Sequence, residues 1–209
     1  MIAQDVLDLA RHSELSNTAF KILSDENTAA IVSFINMGMI ELYKRFVLKT
    51  EELVLELEDN VTTYALPSDF MYVISACKEV YEYSQFKQKE IPINDEYNPE
   101  SIFFPNHLQI QVPAPSTGAF ISVIYVAKPQ KVIVANLDQE LDLPEVLIEC
   151  LLHYIGYRGH LSIRGDGQSE NNAHFARFER SVVKAKELNV TTATDSYNMS
   201  ERLSNRGFV

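Results

Sequence analysis

The stretch of sequence that decides the fold is residues 27–57, NTAAIVSFINMGMIELYKRFVLKTEELVLEL. Its first part places apolar residues at steps of three and four, the spacing of one face of an α-helix. From residue 52 the spacing changes to two, because Leu53, Leu55 and Leu57 share one side of an extended chain. The stretch therefore predicts a long helix over 27–49 followed at once by a strand. The residues on the predicted helix face are Ile31, Ile35, Met39, Leu42, Tyr43 and Phe46.

Short strand-like segments continue beyond this first strand. Asp59 and Asn60 predict a turn, and Pro67 interrupts the next apolar run. Most of the other prolines in this stretch fall between apolar runs, where they remove no ladder hydrogen bond. Residues 51–130 therefore predict a small antiparallel β-sandwich or barrel. The further predicted strands are 61–65, 71–83, 87–93, 101–104, 107–112 and 119–127.

Helical spacing flanks the β-rich stretch on both sides. Ser24 and Asp25 are capping residues for the long helix, and Pro144 with Glu145 suits the first turn of another. The last predicted helix has Phe175, Phe178, Val182 and Ala185 on one side. The predicted helices are 2–12, 27–49, 144–163 and 169–188, with a polar connector at 13–26 and a polar tail at 189–209.

These elements predict an α+β fold. It is a helical bundle of about four helices with an inserted small antiparallel β-sandwich or barrel. The domain organisation that follows is a helical domain from 1–50 and 131–188, a β-rich insert at 51–130, and a C-terminal segment at 189–209. Because the last segment is polar, aperiodic and only dotted with apolar residues, it cannot bury itself alone.

Composition argues against membrane and nucleic-acid binding. The 209 residues have 18 Lys and Arg against 29 Asp and Glu, a net charge of −11. DNA affinity comes from clustered cations that displace counterions, so an acidic chain is poorly suited to hold DNA. No apolar run reaches the roughly 18 residues needed to cross a bilayer, and the first residues lack a signal peptide pattern. We expect synthesis in the host cytoplasm.

No motif assembles a reaction, a cofactor site or a metal site. His153 and His160 are seven residues apart, about 10 Å along a helix, whereas zinc pairs on a helix need closer spacing. Cys150 lies among leucines in a predicted helix, where a thiolate is disfavoured. Cys77 and Cys150 are expected to be free thiols. Arg164-Gly165-Asp166 is interpreted as a turn.

Several local patterns, taken in order, resemble the head-to-tail adaptor proteins of short-tailed bacteriophages, also called connectors or tail tubular A-type gatekeepers. The similarity spans about residues 25–188, and each motif alone is degenerate. The motifs are Ile35-Asn36-x-Gly38-x-x-Glu41-Leu42-Tyr43, Tyr64-x-Leu66-Pro67-x-Asp69-Phe70, Phe104-Pro105-Asn106-His107-Leu108-x-Ile110, Val123-x-Tyr125-x-Ala127-x-Pro129, and Leu143-Pro144 before Leu151-x-x-Tyr154-x-x-Tyr157-Arg158.

The resemblance implies a structural virion protein without a catalytic role or a cofactor. Such adaptors form a ring, typically of about twelve copies, between the portal ring and the tail tube or nozzle, and the genome passes through it. The resemblance also implies that residues 189–209 are an arm that docks on the portal. The expected portal contacts are Tyr197, Met199, Arg202, Leu203, Arg206 and Phe208.

Two alternatives stay open from the sequence. One is another phage ring or tail-completion protein of the same architecture. The other is a small cytosolic enzyme or ligand-binding module with a pocket around His107, His153 and Tyr157. The second alternative predicts a defined cavity with a bound small molecule or metal, whereas an adaptor predicts no turnover.

The charge balance generates a first testable prediction. Duplex DNA should bind the full chain only weakly at low salt, because acidic surfaces repel the phosphate backbone. Titration of fluorescent duplex DNA in a low-salt buffer measures this directly. A dissociation constant below about 1 μM would contradict the expectation.

Overall fold

The chain folds into two compact parts. One contains the long second helix, and the other contains the strand that follows it. The computed structural model describes residues 1–82, 85–163 and 168–188. Within these residues the chain divides into two compact units. The helical unit comprises Met1–Phe46 and 129–188, and the β-rich unit comprises Val47–Lys128.

Four α-helices lie in the described part of the helical unit. They are α1 (Ala3–His12), α2 (Asp25–Arg45), α3 (Ile148–Ile163) and α4 (Gln168–Glu187). Single 3-10 turns at Ala19–Lys21 and Glu145–Leu147 precede α2 and α3. No described helix meets the length and hydropathy that a membrane-spanning segment requires.

Helix α2 begins at a side-chain cap and ends where the backbone becomes extended. The Ser24 hydroxyl accepts a hydrogen bond from the Asn27 amide (3.1 Å), which satisfies one of the free N–H groups of the first turn. The predicted cap at Ser24 is thus confirmed. The helix ends at Arg45 rather than at residue 49, because Phe46 adopts an extended conformation and the chain enters a strand at Thr50. All six residues of the predicted apolar face are buried.

Helix α3 is the central helix of this unit, since α1, α2 and α4 all pack against it. Leu151 and Ile155 of α3 are fully buried, as is Leu147 in the 3-10 turn before it. Gly38 of α2 allows close approach, because a Cβ at that position would lie 2.5 Å from Leu151 Cδ1. On α4, Phe178, Val182 and Ala185 are buried as predicted, but Phe175 is 39% exposed.

The segment between the β-rich unit and α3 is held against the helices by hydrogen bonds. The Asn36 side chain bonds both main-chain groups of Val132, donating to its carbonyl (2.9 Å) and accepting from its N–H (2.8 Å). The Tyr43 hydroxyl donates to the Asp142 carbonyl (2.6 Å). Burial and the neighbouring Asp142 raise the pKa of Tyr43, so this donor stays protonated.

Seven strands in the described residues form two antiparallel sheets. The four-stranded sheet has the order β1-β7-β3-β4 and the three-stranded sheet the order β2-β6-β5. Strand β3 pairs with β7 through two register shifts between Phe70 and Ser75. The strands are β1 (Thr50–Glu56), β2 (Thr63–Ala65), β3 (Phe70–Glu82), β4 (Gln85–Glu90), β5 (Phe103–Asn106), β6 (Gln109–Gln111) and β7 (Phe120–Ala127).

One hydrophobic cluster draws on both sheets. Leu55 of β1, Ile121 and Val123 of β7, and Ile110 of β6 are members of it. Their inward positions follow from the period-two alternation of each strand, which puts every second side chain on the buried face. Phe70 stacks on Phe104 with ring centroids 5.7 Å apart, which adds an aromatic contact to the cluster.

The predicted fold class, a helical bundle of about four helices with an inserted small antiparallel β-sandwich or barrel, is wrong. In the described residues the structure has four α-helices and two antiparallel sheets, of four and three strands, and the open edges of both sheets exclude a closed barrel. The helical unit is more than helices packed on one another, because main-chain bonds also tie residues 137–141 to the start of α1. Periodicity identifies strands but not their partners, and β1 pairs with β7, which lies far away in sequence.

The packing of α3 generates a prediction about stability. Leu151→Ala should lower the free energy of unfolding by about 2–5 kcal/mol, because it removes a fully buried side chain and leaves a cavity. Leu152→Ala is the matched control, since Leu152 is the next residue along the helix and is only half-buried. Urea denaturation of both full-length variants measures the difference. Equal losses in the two variants would contradict the central position of α3.

Candidate protein-docking surfaces

The predicted portal-contact residues cannot be placed in this fold. Tyr197, Met199, Arg202, Leu203, Arg206 and Phe208 lie outside the described residues, as does Arg164-Gly165-Asp166.

The residues of the predicted enzyme-like pocket belong to different units. His107 lies in the turn between β5 and β6, whereas His153 and Tyr157 lie on α3. In the β-rich unit an open cleft of about 580 Å³ has Glu90 as its charged residue. The described residues contain no group of three His, Cys, Asp or Glu side chains placed to hold a metal ion. The lining of that cleft is Val73, Ile74, Glu90, Ile91, Pro92, Ile93 and Asn94.

The two cysteines are free thiols. Cys150 is buried at the start of α3, and this burial raises the pKa of its thiol. Burial followed by the charge of Glu90 also raises the pKa of Cys77. A thiol with a raised pKa is a poor nucleophile at neutral pH, so neither residue has the environment of a catalytic cysteine.

A cluster of histidines joins the connector after α1 to α3 and α4. His160 Nε2 donates to the Glu14 carbonyl (3.1 Å), and the His160 ring stacks on His174 with centroids 4.0 Å apart. His153 Nε2 lies 3.9 Å from the Glu14 carboxylate. Burial and the nearby His160 and Arg177 lower the pKa of His174, although Glu14 opposes the shift. The cluster links three segments of the unit, which is a structural role.

Arg45 fixes the end of α2 to α4. Its guanidinium donates to Glu41 (2.9 Å) on α2 and to Glu179 (2.8 Å) on α4, and it lies 4.8 Å from the centre of the Phe178 ring. The hydrogen bond to Glu179 is the main cause of the raised pKa of Arg45. Hydrogen bonds to charged groups are stronger than neutral ones, so this contact holds α4 in place.

The outward face of α2 is unusual for a surface helix. From Asn27 to Ile40 its sequence has no charged residue, yet Ala29, Ser33 and Ile40 are exposed. Ile40 is 41% exposed. A helix that is apolar on most sides is normally covered on all of them, so this face suits contact with protein rather than with water alone.

The outward face of α4 has the opposite character. Arg177, Arg180 and Lys184 are exposed on one side, and Val183 beside them is 54% exposed. In the β-rich unit the exposed apolar residues lie at loop tips and on the outer sheet face. They include Tyr97 (97% exposed), Leu108, Val54 and Phe120. These surfaces can bind partners but bring no reactive groups together.

A match to a protein family explains why the exposed surfaces of this chain suit contacts with other proteins. The chain matches the family model of the SU10 adaptor protein over residues 2–203. It belongs to the SU10 adaptor family. This is a family of phage head-to-tail adaptors, so the chain is a structural protein of a bacteriophage and a component of the virion. No curated protein matches the chain in sequence.

Membership of the SU10 adaptor family confirms the resemblance inferred from the motifs. It implies interaction with portal and tail proteins in general terms. The two outward helix faces were not among the predicted site residues, although both signals are present in the sequence. The uncharged run from Asn27 to Ile40 and the spacing of Arg177, Arg180 and Lys184 are visible without coordinates.

The histidine cluster generates a prediction about pH. Because the pKa of His174 is lowered from 6.5 in the fold, protonation favours the unfolded chain. The free energy of unfolding should therefore fall as pH drops below about 6.5, and the loss becomes complete below the folded pKa. His174→Gln should remove part of this loss.

The test compares urea midpoints at about pH 7.5 and about pH 5.5 for the wild type, His174→Gln and the control His12→Gln. His12 is exposed on α1, so its replacement should leave the acid sensitivity unchanged. An identical loss in the wild type and His174→Gln would contradict the assignment to His174.

Proposed function

We propose that this SU10 adaptor family member forms a ring between the portal and the tail of the virion, and that the genome passes through the ring. The observation that carries the proposal is the family match over residues 2–203, nearly the whole chain. Adaptors in a head-to-tail joint must meet the portal on one side and a tail component on the other. The partners are therefore the portal ring, a tail tube or nozzle protein, and further copies of this chain.

The surfaces of the helical unit support contacts between proteins. The uncharged face of α2 around Ser33 and Ile40 is exposed in the single chain. Covering such a face removes apolar area from water, which stabilises an assembly by about 25 cal/mol per Å². A chain with this face exposed is better suited to an assembly than to a free monomer.

The net charge supports passage of DNA rather than binding. Each copy has a net charge of −11, so a ring multiplies the excess of carboxylates. Phosphate groups are repelled by such a surface, particularly at low salt. The proposed lumen therefore lets the genome pass without retaining it.

The proposal assigns the portal contact to residues 189–209. Residues 189–209, which follow the helical domain predicted at 1–50 with 131–188 and its predicted β-rich insert at 51–130, are the proposed docking arm. Ordering such an arm on a partner costs about 2–5 kcal/mol. A ring offsets this cost, because after one arm binds the others act at high effective concentration. The proposed contacts are Tyr197, Met199, Arg202, Leu203, Arg206 and Phe208.

The docking arm is tested by truncation. Removal of residues 190–209 should leave the thermal unfolding of the chain unchanged and abolish its binding to the portal ring of the same phage. Binding is measured by co-sedimentation with portal rings and by electron microscopy of the mixture.

A full-length variant tests whether portal binding needs the apolar side chains of the arm or only its length. Replacing Leu203 and Phe208 together by Ser keeps the arm but removes two apolar contacts, so it should weaken portal binding in the same direction. Replacing Asn189 by Ser leaves these contacts in place and should have no effect. A truncated chain that still joins the portal ring would contradict the docking arm.

A further inference from the structure

The outward face of α4 is basic although the chain as a whole is acidic. Arg177, Arg180 and Lys184 are spaced by three and four residues, so they lie on one side of the helix. Their side chains extend over about 10 Å along the helix axis. The side chains of Arg177 and Lys184 are 59% and 66% exposed. The face is open to a partner.

The cations of this face are weakly engaged within their own chain. Arg177 lies 4.0 Å from the Glu14 carboxylate, and Lys184 lies 3.4 Å from Glu149. Both distances exceed the roughly 2.7–2.9 Å of a strong charge-assisted hydrogen bond. The donors can therefore turn to carboxylates of another molecule at small cost.

A row of carboxylates lies in the same unit, between β7 and α3. Asp138, Glu140 and Asp142 are exposed, whereas Gln139 is half-buried and Leu141 is buried. This alternation puts the carboxylates of Asp138 and Glu140 on the solvent side of the segment, whereas the exposed Asp142 also interacts with the Tyr43 hydroxyl. Asp138 lies in a turn and Asp142 in a bend, so the row spans less than the roughly 13 Å of four extended residues, a reach comparable with the roughly 10 Å of the basic face of α4.

The acidic row is held firmly. The Ala3 amide donates to the Gln139 carbonyl (2.9 Å), and the Leu141 amide donates to the Met1 carbonyl (3.0 Å). Backbone that is already fixed loses little entropy on binding, so such a row is suited to recognition.

We infer that the acidic row, Asp138, Glu140 and Asp142, of one copy binds the basic face of α4, Arg177, Arg180 and Lys184, of the next copy. The inference rests on the proposed ring and names the contact that builds it. The two surfaces are opposite in charge and similar in length. Because they are different surfaces of the same chain, the contact is heterologous, and its repetition gives a ring when the rotation between copies closes and an open filament when it does not.

Exposed aliphatic residues accompany both surfaces. Val183 lies beside the cations of α4, and Ile133 and Val134 precede the acidic row at 51% and 45% exposure. Apolar burial at these positions provides affinity, and the charges provide register and orientation. Duplex DNA is a less suitable occupant, since the chain has a net charge of −11. Every copy, in contrast, supplies an acidic row at equal stoichiometry.

Charge reversal in the full-length chain tests the contact. The first variant carries Arg177→Glu and Arg180→Glu, the second carries Asp138→Lys and Glu140→Lys, and the third carries all four changes. Self-association is measured by sedimentation velocity, alone and with the portal ring, at about 50 mM and about 500 mM salt. Each pairwise variant should associate at least about tenfold more weakly than the wild type.

The fourfold variant is the decisive sample. It retains the net charge of the wild type because the changes cancel, so recovery reports the specific contact. It should recover association to within about threefold of the wild type, and an equimolar mixture of the two pairwise variants should recover it too. The control Lys21→Glu with Lys128→Glu shifts the net charge as much as the first variant at exposed positions outside both surfaces. This control should associate like the wild type.

A second basic-face variant guards against misfolding. Arg177 is near Glu14, so its reversal adds a repulsion within the chain. Arg180→Glu alone avoids both Glu14 and Glu149, which lies 3.4 Å from Lys184, and should weaken association in the same direction while the circular dichroism spectrum stays unchanged.

The outcomes separate the inference from the proposed function. If the wild type associates and the reversed variants associate equally well, the inferred contact is contradicted while the ring stands. If basic-face reversal affects only portal binding or only duplex DNA binding, the face belongs to that partner and the inference is likewise contradicted. A wild type that forms no oligomer alone or on portal rings contradicts the proposed function itself.

Discussion

The close packing of α2 on α3 is the contact on which the helical unit depends. Gly38 lets the two helices approach until Leu151 and Tyr154 fill the space that a side chain at Gly38 would need. With α3 so placed, α1 and α4 pack on its remaining sides. Arg45 then ties the end of α2 to Glu179 of α4. Outward faces of α2 and α4 are what this packing leaves for partners.

The function of the SU10 adaptor family is consistent with where the chain places its potentially reactive groups and its exposed groups. The buried thiol of Cys150 and the stacked rings of His160 and His174 are groups that could react elsewhere, but here they lie in structural contacts. The exposed groups include apolar residues and charges, and on α4 the exposed Val183 lies beside the cations. Patches of this kind give affinity and orientation between proteins, because burial supplies the energy and charge supplies the register.

The β-rich unit shows why the positions of the strands in the sequence did not predict how the strands pair. Its strands were recognisable from the alternation around Leu55 and Val123, and most lie near their predicted positions. The pairing of β1 with β7, and the separation of β2, β5 and β6 into a second sheet, depend on contacts between distant residues. Loop closure and shared burial decide such pairing, and neither leaves a local pattern.

The sequence by itself determined the helices, the strands, the cap at Ser24, the buried face of α2 and the adaptor resemblance. The first four follow from residues within a turn or two of one another, where spacing and hydrogen-bonding capacity act directly, and the resemblance follows from the order of local motifs over residues 25–188. Only the tertiary structure decided the two sheets, the exposure of Phe175, the bonds of Asn36 to Val132, and the outward placement of Arg177 and Asp138. These depend on which distant surfaces bury one another, because burial is a property of the packed chain and not of its local order.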